Sequence, residues 1–207
     1  MMKKTLLAAA ALCALTSGAA MAQNYPQDGK WMVRARAVHL DSANGGAAGD
    51  KGVSVNDKWI PELDISYFFT PNLAAELILT YPQKHDVRLN GAKIGTLKHL
   101  PPTLLAQYHF TNLGAFKPYV GAGINYTRFS SVDILGGALN VKKNSFGPAL
   151  QVGMDVPVAK NVFLNVDLKK IWIDTKASGN SGAINGVDLG RLEINPLVFG
   201  VGVGMKF

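Results

Sequence analysis

The fold is decided by Trp59–Phe69, which reads WIPELDISYFF, and by Leu73–Tyr81, which reads LAAELILTY. In both segments apolar side chains occupy the odd positions, whereas the even positions include Glu62, Asp64 and Glu76. Successive side chains of a β-strand point to opposite faces, so this period of two predicts strands with one apolar and one polar face. Because the two segments are nearly adjacent, they are predicted to form an antiparallel hairpin.

Six more segments alternate in the same way, and together the eight segments predict an all-β chain. These six are Trp31–Leu40, Thr103–Phe110, Val120–Thr127, Leu150–Val156, Val162–Lys169 and Leu197–Phe207. Long connections alternate strictly with short ones. The long connections are Asp41–Lys58, Pro82–Lys98, Ser130–Asn144 and Asp174–Gly190, and the short ones are Thr70–Asn72, Thr111–Lys117 and Val158–Asn161. The sequence therefore predicts an eight-stranded antiparallel transmembrane β-barrel with short periplasmic turns and long extracellular loops.

The direction of each face follows from the size of its side chains. The apolar face carries bulky Leu, Val, Tyr and Phe, whereas the opposite face carries Gly, Asn, Gln and a few charges. A narrow barrel has little room inside, so the small polar face is predicted to point inward and the apolar face toward lipid. Aromatic residues at strand ends, such as Trp31, Phe69 and Trp172, favour the membrane barrel over the alternative of a lipocalin-like soluble barrel.

The N-terminal segment predicts export. Lys3 and Lys4 precede the apolar run Thr5–Leu15, and Ala20-Met21-Ala22 has the small residues of a signal-peptidase site. Residues 1–22 are therefore a predicted signal peptide, and residues 23–207 the mature barrel of a Gram-negative outer membrane. The only cysteine, Cys13, lies inside this signal; a lipoprotein site there is disfavoured because Leu12 is not small.

Charge and motif content disfavour several functional classes. The formal net charge of +7 is scattered without a long basic run, so no nucleic-acid partner is predicted. The histidines lack the spacing of metal ligands, and the Gly-x-Gly pairs lie within strands rather than before a helix. We therefore predict no metal, cofactor or catalytic residue, with His85 in a loop and His39 and His99 near strand ends. A lipid-modifying enzyme is an alternative class, although Ala183 breaks the G-x-S-x-G pattern around Ser181.

Two segments of the middle strands resemble a known family. His99–Phe110 reads HLPPTLLAQYHF and Pro118–Phe129 reads PYVGAGINYTRF, and both are similar to signature segments of the outer membrane protein W (OmpW) family. Asn195-Pro196 and the terminal Phe207 are similar to the family's last strand. The resemblance implies a narrow hydrophobic channel that passes small hydrophobic molecules across the outer membrane, with an exit through the barrel wall.

Charged residues on the inward faces are expected to form a network that blocks ions in the periplasmic half of the lumen. A charge in a confined interior is costly unless it is paired. The members are Arg34, Arg36, Glu62, Asp64, Glu76 and Asp167. Lys169 either lines the channel and makes it partly polar or pairs with an interior acid such as Asp167.

Apolar residues of the long connections are the candidates for lining the channel. They are Val53, Val55, Ile94, Leu97, Ile134, Leu135, Leu139, Ile184 and Leu189. A structural, receptor or adhesion barrel with a plugged lumen is the alternative function, in which such residues touch the lipopolysaccharide layer. A phase shift at Asn195-Pro196 predicts a bulge or a strand start, and a break there would be a candidate lateral opening. The expected partners are outer-membrane lipids, lipopolysaccharide, small hydrophobic solutes and the barrel assembly machinery, for which Phe207 is the predicted insertion signal.

Overall fold

The structure is a computed structural model that describes residues 29–181, 186 and 188–207. The predicted signal peptide lies outside the described residues and stays a prediction. Among the described residues, no helix has the length and apolar character needed to cross a membrane.

The described part of the chain contains fourteen β-strands and one short helix, α1 (Gly46–Asp50). The strands are β1 (Trp31–Asp41), β2 (Val53–Val55), β3 (Lys58–Phe68), β4 (Leu73–Leu79), β5 (Gln83–Leu89), β6 (Ala92–Leu100), β7 (Thr103–His109), β8 (Lys117–Ile134), β9 (Leu139–Val141), β10 (Asn144–Ala159), β11 (Val162–Ile171), β12 (Asp174–Gly179), β13 (Asp188–Glu193) and β14 (Leu197–Lys206).

Eight of these strands close into a barrel in the order β1, β3, β4, β7, β8, β10, β11 and β14, each antiparallel to its neighbours. The ladder between β1 and β14 closes the ring, from Met32 opposite Lys206 to Asp41 opposite Leu197. The backbone N–H of Trp31 donates to the carbonyl of Phe207 at 2.9 Å, so pairing continues to the last residue. The predicted eight-stranded fold is confirmed strand by strand.

The two faces of the barrel wall point as predicted. Leu63, Leu77 and Val120 are 40–46% exposed on the outside, whereas Arg34 and Glu76 are completely buried inside. A surface of this kind is stable against lipid, since the strands of a closed barrel pair around the whole ring and the lumen holds the polar side chains. The soluble alternative, which needs the apolar face inside, is wrong.

The predicted long loops are largely folded. Asn90 and Gly91, with φ of +47° and +85°, form a tight turn that joins β5 and β6 into a hairpin. His85 therefore lies in a strand, and its predicted place in a loop is wrong. The external end of β8 continues beyond its ladder with β10, which ends at Arg128, and pairs with β6 and β9. Together with β2, α1, β5, β6, β9, β12 and β13 it forms what we call the external cap.

Candidate functional site

A network of buried charges fills the barrel lumen. Arg34 binds Asp155 through two nitrogens, at 2.7 and 3.2 Å, and reaches Asp64 at 3.1 Å. Arg36 lies 2.7 Å from Asp64, 3.0 Å from Glu62 and 3.1 Å from Glu76. These side chains are almost wholly inaccessible to solvent. We call this network, together with Lys169 and Asp167, the charge plug.

Lys169 belongs to the charge plug. Its Nζ atom donates to Glu62 at 2.7 Å and to Asp167 at 2.6 Å. Asp167 is also held by the hydroxyl of Tyr119, which donates to it at 2.9 Å. Lys169 is thus neutralised by two carboxylates, the arrangement in which a buried ammonium costs least.

Glycines of β14 provide the space that the two arginines occupy. Gly204 lies opposite Arg34 and Gly202 lies opposite Arg36 in the closing ladder. A Cβ atom at either glycine would stand 2.8–2.9 Å from the Cγ atom of the facing arginine. The glycine repeat that superficially resembles a nucleotide-binding motif is therefore explained by packing inside a narrow barrel.

An apolar layer lies below the charge plug, at the periplasmic end of the lumen. Met32, Phe68, Ala74 and Phe163 form a buried apolar cluster there. The cavity beside it measures only about 30 Å³, room for no more than a few water molecules. The lumen is therefore filled from the charge plug downward.

The external cap encloses an apolar chamber of about 180 Å³. Six of the predicted channel-lining residues lie on its wall: Val53, Ile94, Leu97, Ile134, Leu135 and Leu139. Val55 is buried in the surrounding apolar cluster. Ile184 lies outside the described residues, as does the side chain of Leu189. The remaining lining residues are Ala48, Lys51, Val87, Leu89, Val141, Ala177 and Leu192, so Lys51 supplies the one charge in this described lining.

The hydrogen-bonded wall has a break between β3 and the β4–β5 connection. The β3–β4 ladder ends at Leu63 opposite Leu79, but β3 continues to Lys58. Among the described residues, no strand pairs with this side of Lys58–Glu62. Pairing resumes above it, where the N–H of Asn56 donates to the carbonyl of Asp86 at 3.3 Å. We call this break, between Lys58–Glu62 and Thr80–Pro82, the lateral gap.

Proline explains the position of the lateral gap. Pro61 and Pro82 stand on its two sides, and neither has an N–H to donate to a ladder. The lateral opening that the sequence predicts at Asn195-Pro196 is not found there, so this prediction is wrong. There the N–H of Ile171 donates to Pro196 at 3.2 Å and the N–H of Ile194 donates to Ile173 at 2.9 Å, so the wall stays paired. The predicted strand start is confirmed, because β14 begins at Leu197.

Sequence reasoning missed several members of both sites. The sequence does not single out Asp155 of the charge plug, although Asp155 alternates with the outward residues of its strand, nor Tyr119, whose hydroxyl donates to Asp167. Val87 lines the chamber from a hairpin within Pro82–Lys98, which the sequence predicts as a long connection, although Asn90-Gly91 is a strong hairpin signal. The ring of His39 packs against the ring of Trp59, with the centroids 5.1 Å apart, and the side chain of Ser42 is buried.

Comparisons with known proteins agree with this geometry. The profile of the OmpW family matches residues 27–207. An uncharacterized outer-membrane protein, y4mB of Sinorhizobium fredii, is 42% identical over 86% of this chain and 80% of its own length. Outer membrane protein W of Escherichia coli is 35% identical over the full length of both chains. A dibenzothiophene metabolism operon protein, PahQ of Pseudomonas aeruginosa, is 30% identical over 80% of this chain and 73% of its own.

Solved structures show the same architecture. The crystal structure of OprG from Pseudomonas aeruginosa has a TM-score of 0.76 at 26% identity and covers 88% of this chain and 98% of its own. The NMR structure of Escherichia coli outer membrane protein W has a TM-score of 0.63 at 30% identity, with 87% and 99% covered. The closed barrel with its apolar outer face is thus that of an outer-membrane β-barrel protein. Within this class, the chain belongs to the OmpW family.

Proposed function

We propose that this protein is a passive conduit for small hydrophobic molecules, which enter the apolar chamber of the external cap and leave sideways through the lateral gap. The observation that carries the proposal is an apolar chamber above a filled lumen. Binding to such a lining does not stabilise an ion or a sugar. An apolar molecule is stabilised by a transfer free energy of about 25 cal/mol for each Å² of its apolar surface that is removed from water. The family relative PahQ is named for a dibenzothiophene metabolism operon, and dibenzothiophene is an apolar aromatic compound.

The test is uptake of radiolabelled naphthalene by Gram-negative cells that lack the protein and by the same cells with the protein restored. We expect uptake to rise on restoration. Ala177→Trp places a large side chain in the chamber and should return uptake toward that of the deleted cells, because Ala177 is part of the chamber wall. Ala92→Trp is the matched control, since Ala92 is exposed at the tip of the β5–β6 hairpin.

Heat-modifiable gel mobility verifies that each variant is folded. If naphthalene uptake is the same with and without the protein, the conduit is rejected. The alternative is then a structural, receptor or adhesion barrel, which the filled lumen favours. In that case envelope integrity or binding of the cap to lipopolysaccharide is the property that changes on deletion.

The lateral exit has its own test, a covalent bridge across the gap. Extending the β3–β4 register by one step places residue 61 opposite residue 81, so Pro61→Cys with Tyr81→Cys allows a short bifunctional maleimide to close the wall. Leu63→Cys with Leu79→Cys is the control, because these residues are already paired in the ladder. Cys13 is the only natural cysteine and lies in the predicted signal, so the bridges are unambiguous. Bridging the first pair should lower uptake and bridging the second should not; equal uptake in both excludes this exit.

The last strand also supports a proposal about assembly. We infer that Phe207, which is exposed at the periplasmic end of β14, is read by the barrel assembly machinery. Phe207→Ala should reduce the amount of folded barrel in the outer membrane without changing the stability of the barrels that do fold. Quantification of folded and unfolded bands on gels separates the two effects.

A further inference from the structure

A polar cluster interrupts the apolar interior beside the lateral gap. It consists of Gln83 and His85 on β5 and His99 on β6, and each side chain is at most 1% exposed. Gln83 and His99 face each other across the hairpin. The rings of His85 and His99 are stacked, with centroids 4.6 Å apart and planes at 14°. We call these three residues the histidine cluster.

The histidine cluster adjoins both the chamber and the gap. His85 lies opposite Leu97, which lines the chamber, and His99 lies opposite Phe129 of the surrounding apolar cluster. Gln83 follows Pro82 at the edge of the gap. A molecule moving from the chamber to the gap would therefore pass this cluster.

Four buried polar atoms of the cluster have no partner among the described protein groups. Within the described residues, both ring nitrogens of His99, Nε2 of His85 and Oε1 of Gln83 have no hydrogen-bond partner. Buried polar atoms are nearly always partnered in folded proteins, because an unmade hydrogen bond in an apolar surrounding is costly. Four such atoms on three adjacent side chains therefore point to a ligand.

The roles of two of these atoms are fixed by their surroundings. His85 Nδ1 lies 3.0 Å from the carbonyl oxygen of Asn56, which can only accept, so Nδ1 carries the hydrogen. Burial lowers the pKa of His85, so the ring is neutral at pH 7 and its Nε2 is an acceptor. Gln83 Nε2 donates to the carbonyl of Tyr81 at 2.8 Å, which leaves Oε1 as a second acceptor.

We propose that the histidine cluster binds the hydroxyl group of a small apolar alcohol or phenol. The hydroxyl hydrogen is donated to His85 Nε2 or Gln83 Oε1, and the hydroxyl oxygen accepts from the N–H of His99. A hydrocarbon, ether or ketone has no hydrogen to give to the two fixed acceptors, so the site discriminates against them. The inference rests on the proposed conduit, because the chamber receives the apolar part of the same molecule.

The experiment compares 2-naphthol with naphthalene, which share their ring system, on the full mature chain in detergent micelles. Histidine ¹⁵N and side-chain methyl resonances are followed by NMR. We expect 2-naphthol to shift the resonances of His85, His99 and the methyls of Leu97, and naphthalene to shift only the methyls. His39, whose ring packs against Trp59 outside the chamber, is the internal control and should not move.

A variant then tests the acceptor directly. His85→Phe combined with Gln83→Leu keeps a ring in the stack but removes both acceptors. This double variant should weaken 2-naphthol binding about tenfold, as expected for one hydrogen bond, without changing naphthalene binding. If both compounds shift the methyls equally and the histidines stay unchanged, the hydroxyl site is rejected while the conduit stands. If neither compound shifts the methyls, the chamber binds nothing and the conduit itself fails.

Discussion

Arg34 contacts Asp64, Glu76, Asp155 and the hydroxyl of Ser66 at once, and all of these partners are buried. Arg34→Leu should therefore destabilise the barrel by about 3–5 kcal/mol, because it leaves carboxylates unpaired in a confined interior. Denaturant unfolding in micelles measures the change. Lys93→Leu is the control, since its ion pair with Asp86 lies on the exposed surface of the hairpin, where such pairs contribute little. Equal stability of the two variants would show that the plug is not held by Arg34.

The inward parity of each residue could be predicted from the sequence, but its partners could not. Alternation along β1 and β3 is enough to place Arg34 and Asp64 on the inside, and these two strands follow each other in the barrel and pair directly. Asp155 is 121 residues from Arg34 in sequence. Which inward residues meet across the lumen depends on the stagger of the closed barrel, and periodicity does not contain that quantity.

At the scale of elements, one feature of the β5–β6 hairpin could be predicted from the sequence and another could not. Its turn could have been predicted from Asn90-Gly91 and the alternation of His85, Val87 and Leu89. The docking of the hairpin onto β8, from Gly95 opposite Ile134 to Leu100 opposite Arg128, could not be predicted. It occurs where β8 continues past the part of the barrel that carries exposed apolar side chains. The histidine cluster depends on that docking, so the sequence left His85 and His99 as separate residues.

The hairpin should loosen in acid. Burial, and then the nearby His85 and Lys58, lower the pKa of His99 to about 3. In an opened hairpin the pKa of His99 is about 6.5. Below that pH, His99 is therefore protonated in the opened form but stays neutral in the folded form. The stabilisation is complete above about pH 6.5 and decreases as the pH falls toward 3, by about 2–3 kcal/mol at pH 4.5.

Amide hydrogen exchange at pH 7 and pH 4.5, expressed as protection factors, measures this loss in β5 and β6. His99→Phe should lose most of the pH dependence, whereas His39→Phe should keep it. Protection in β5 and β6 that is the same at both pH values would contradict the assignment of a neutral, buried His99.

At the scale of the whole molecule, the interior is layered from outside to inside. The apolar chamber comes first, the histidine cluster lies beside the lateral gap, and the charge plug and the periplasmic apolar cluster fill the rest. In the plug three cations, Arg34, Arg36 and Lys169, face five carboxyl groups, those of Glu62, Asp64, Glu76, Asp155 and Asp167. A path for water along the barrel axis is thus closed by side chains that hold one another in place.

This layering predicts that the barrel passes apolar molecules but hardly any ions. In planar lipid bilayers the wild-type protein should give no stepwise conductance of the size seen for water-filled porins, because an ion would have to cross the plug and then the apolar cluster of Met32 and Phe68. A double variant, Arg36→Ser with Lys169→Ser, removes two cations and leaves a wider, anionic lumen that should conduct cations if it stays folded. Heat-modifiable mobility checks the folding. Large open-channel steps from the wild-type protein would mean that the plug opens in the membrane, and a route along the barrel axis would then replace the lateral one.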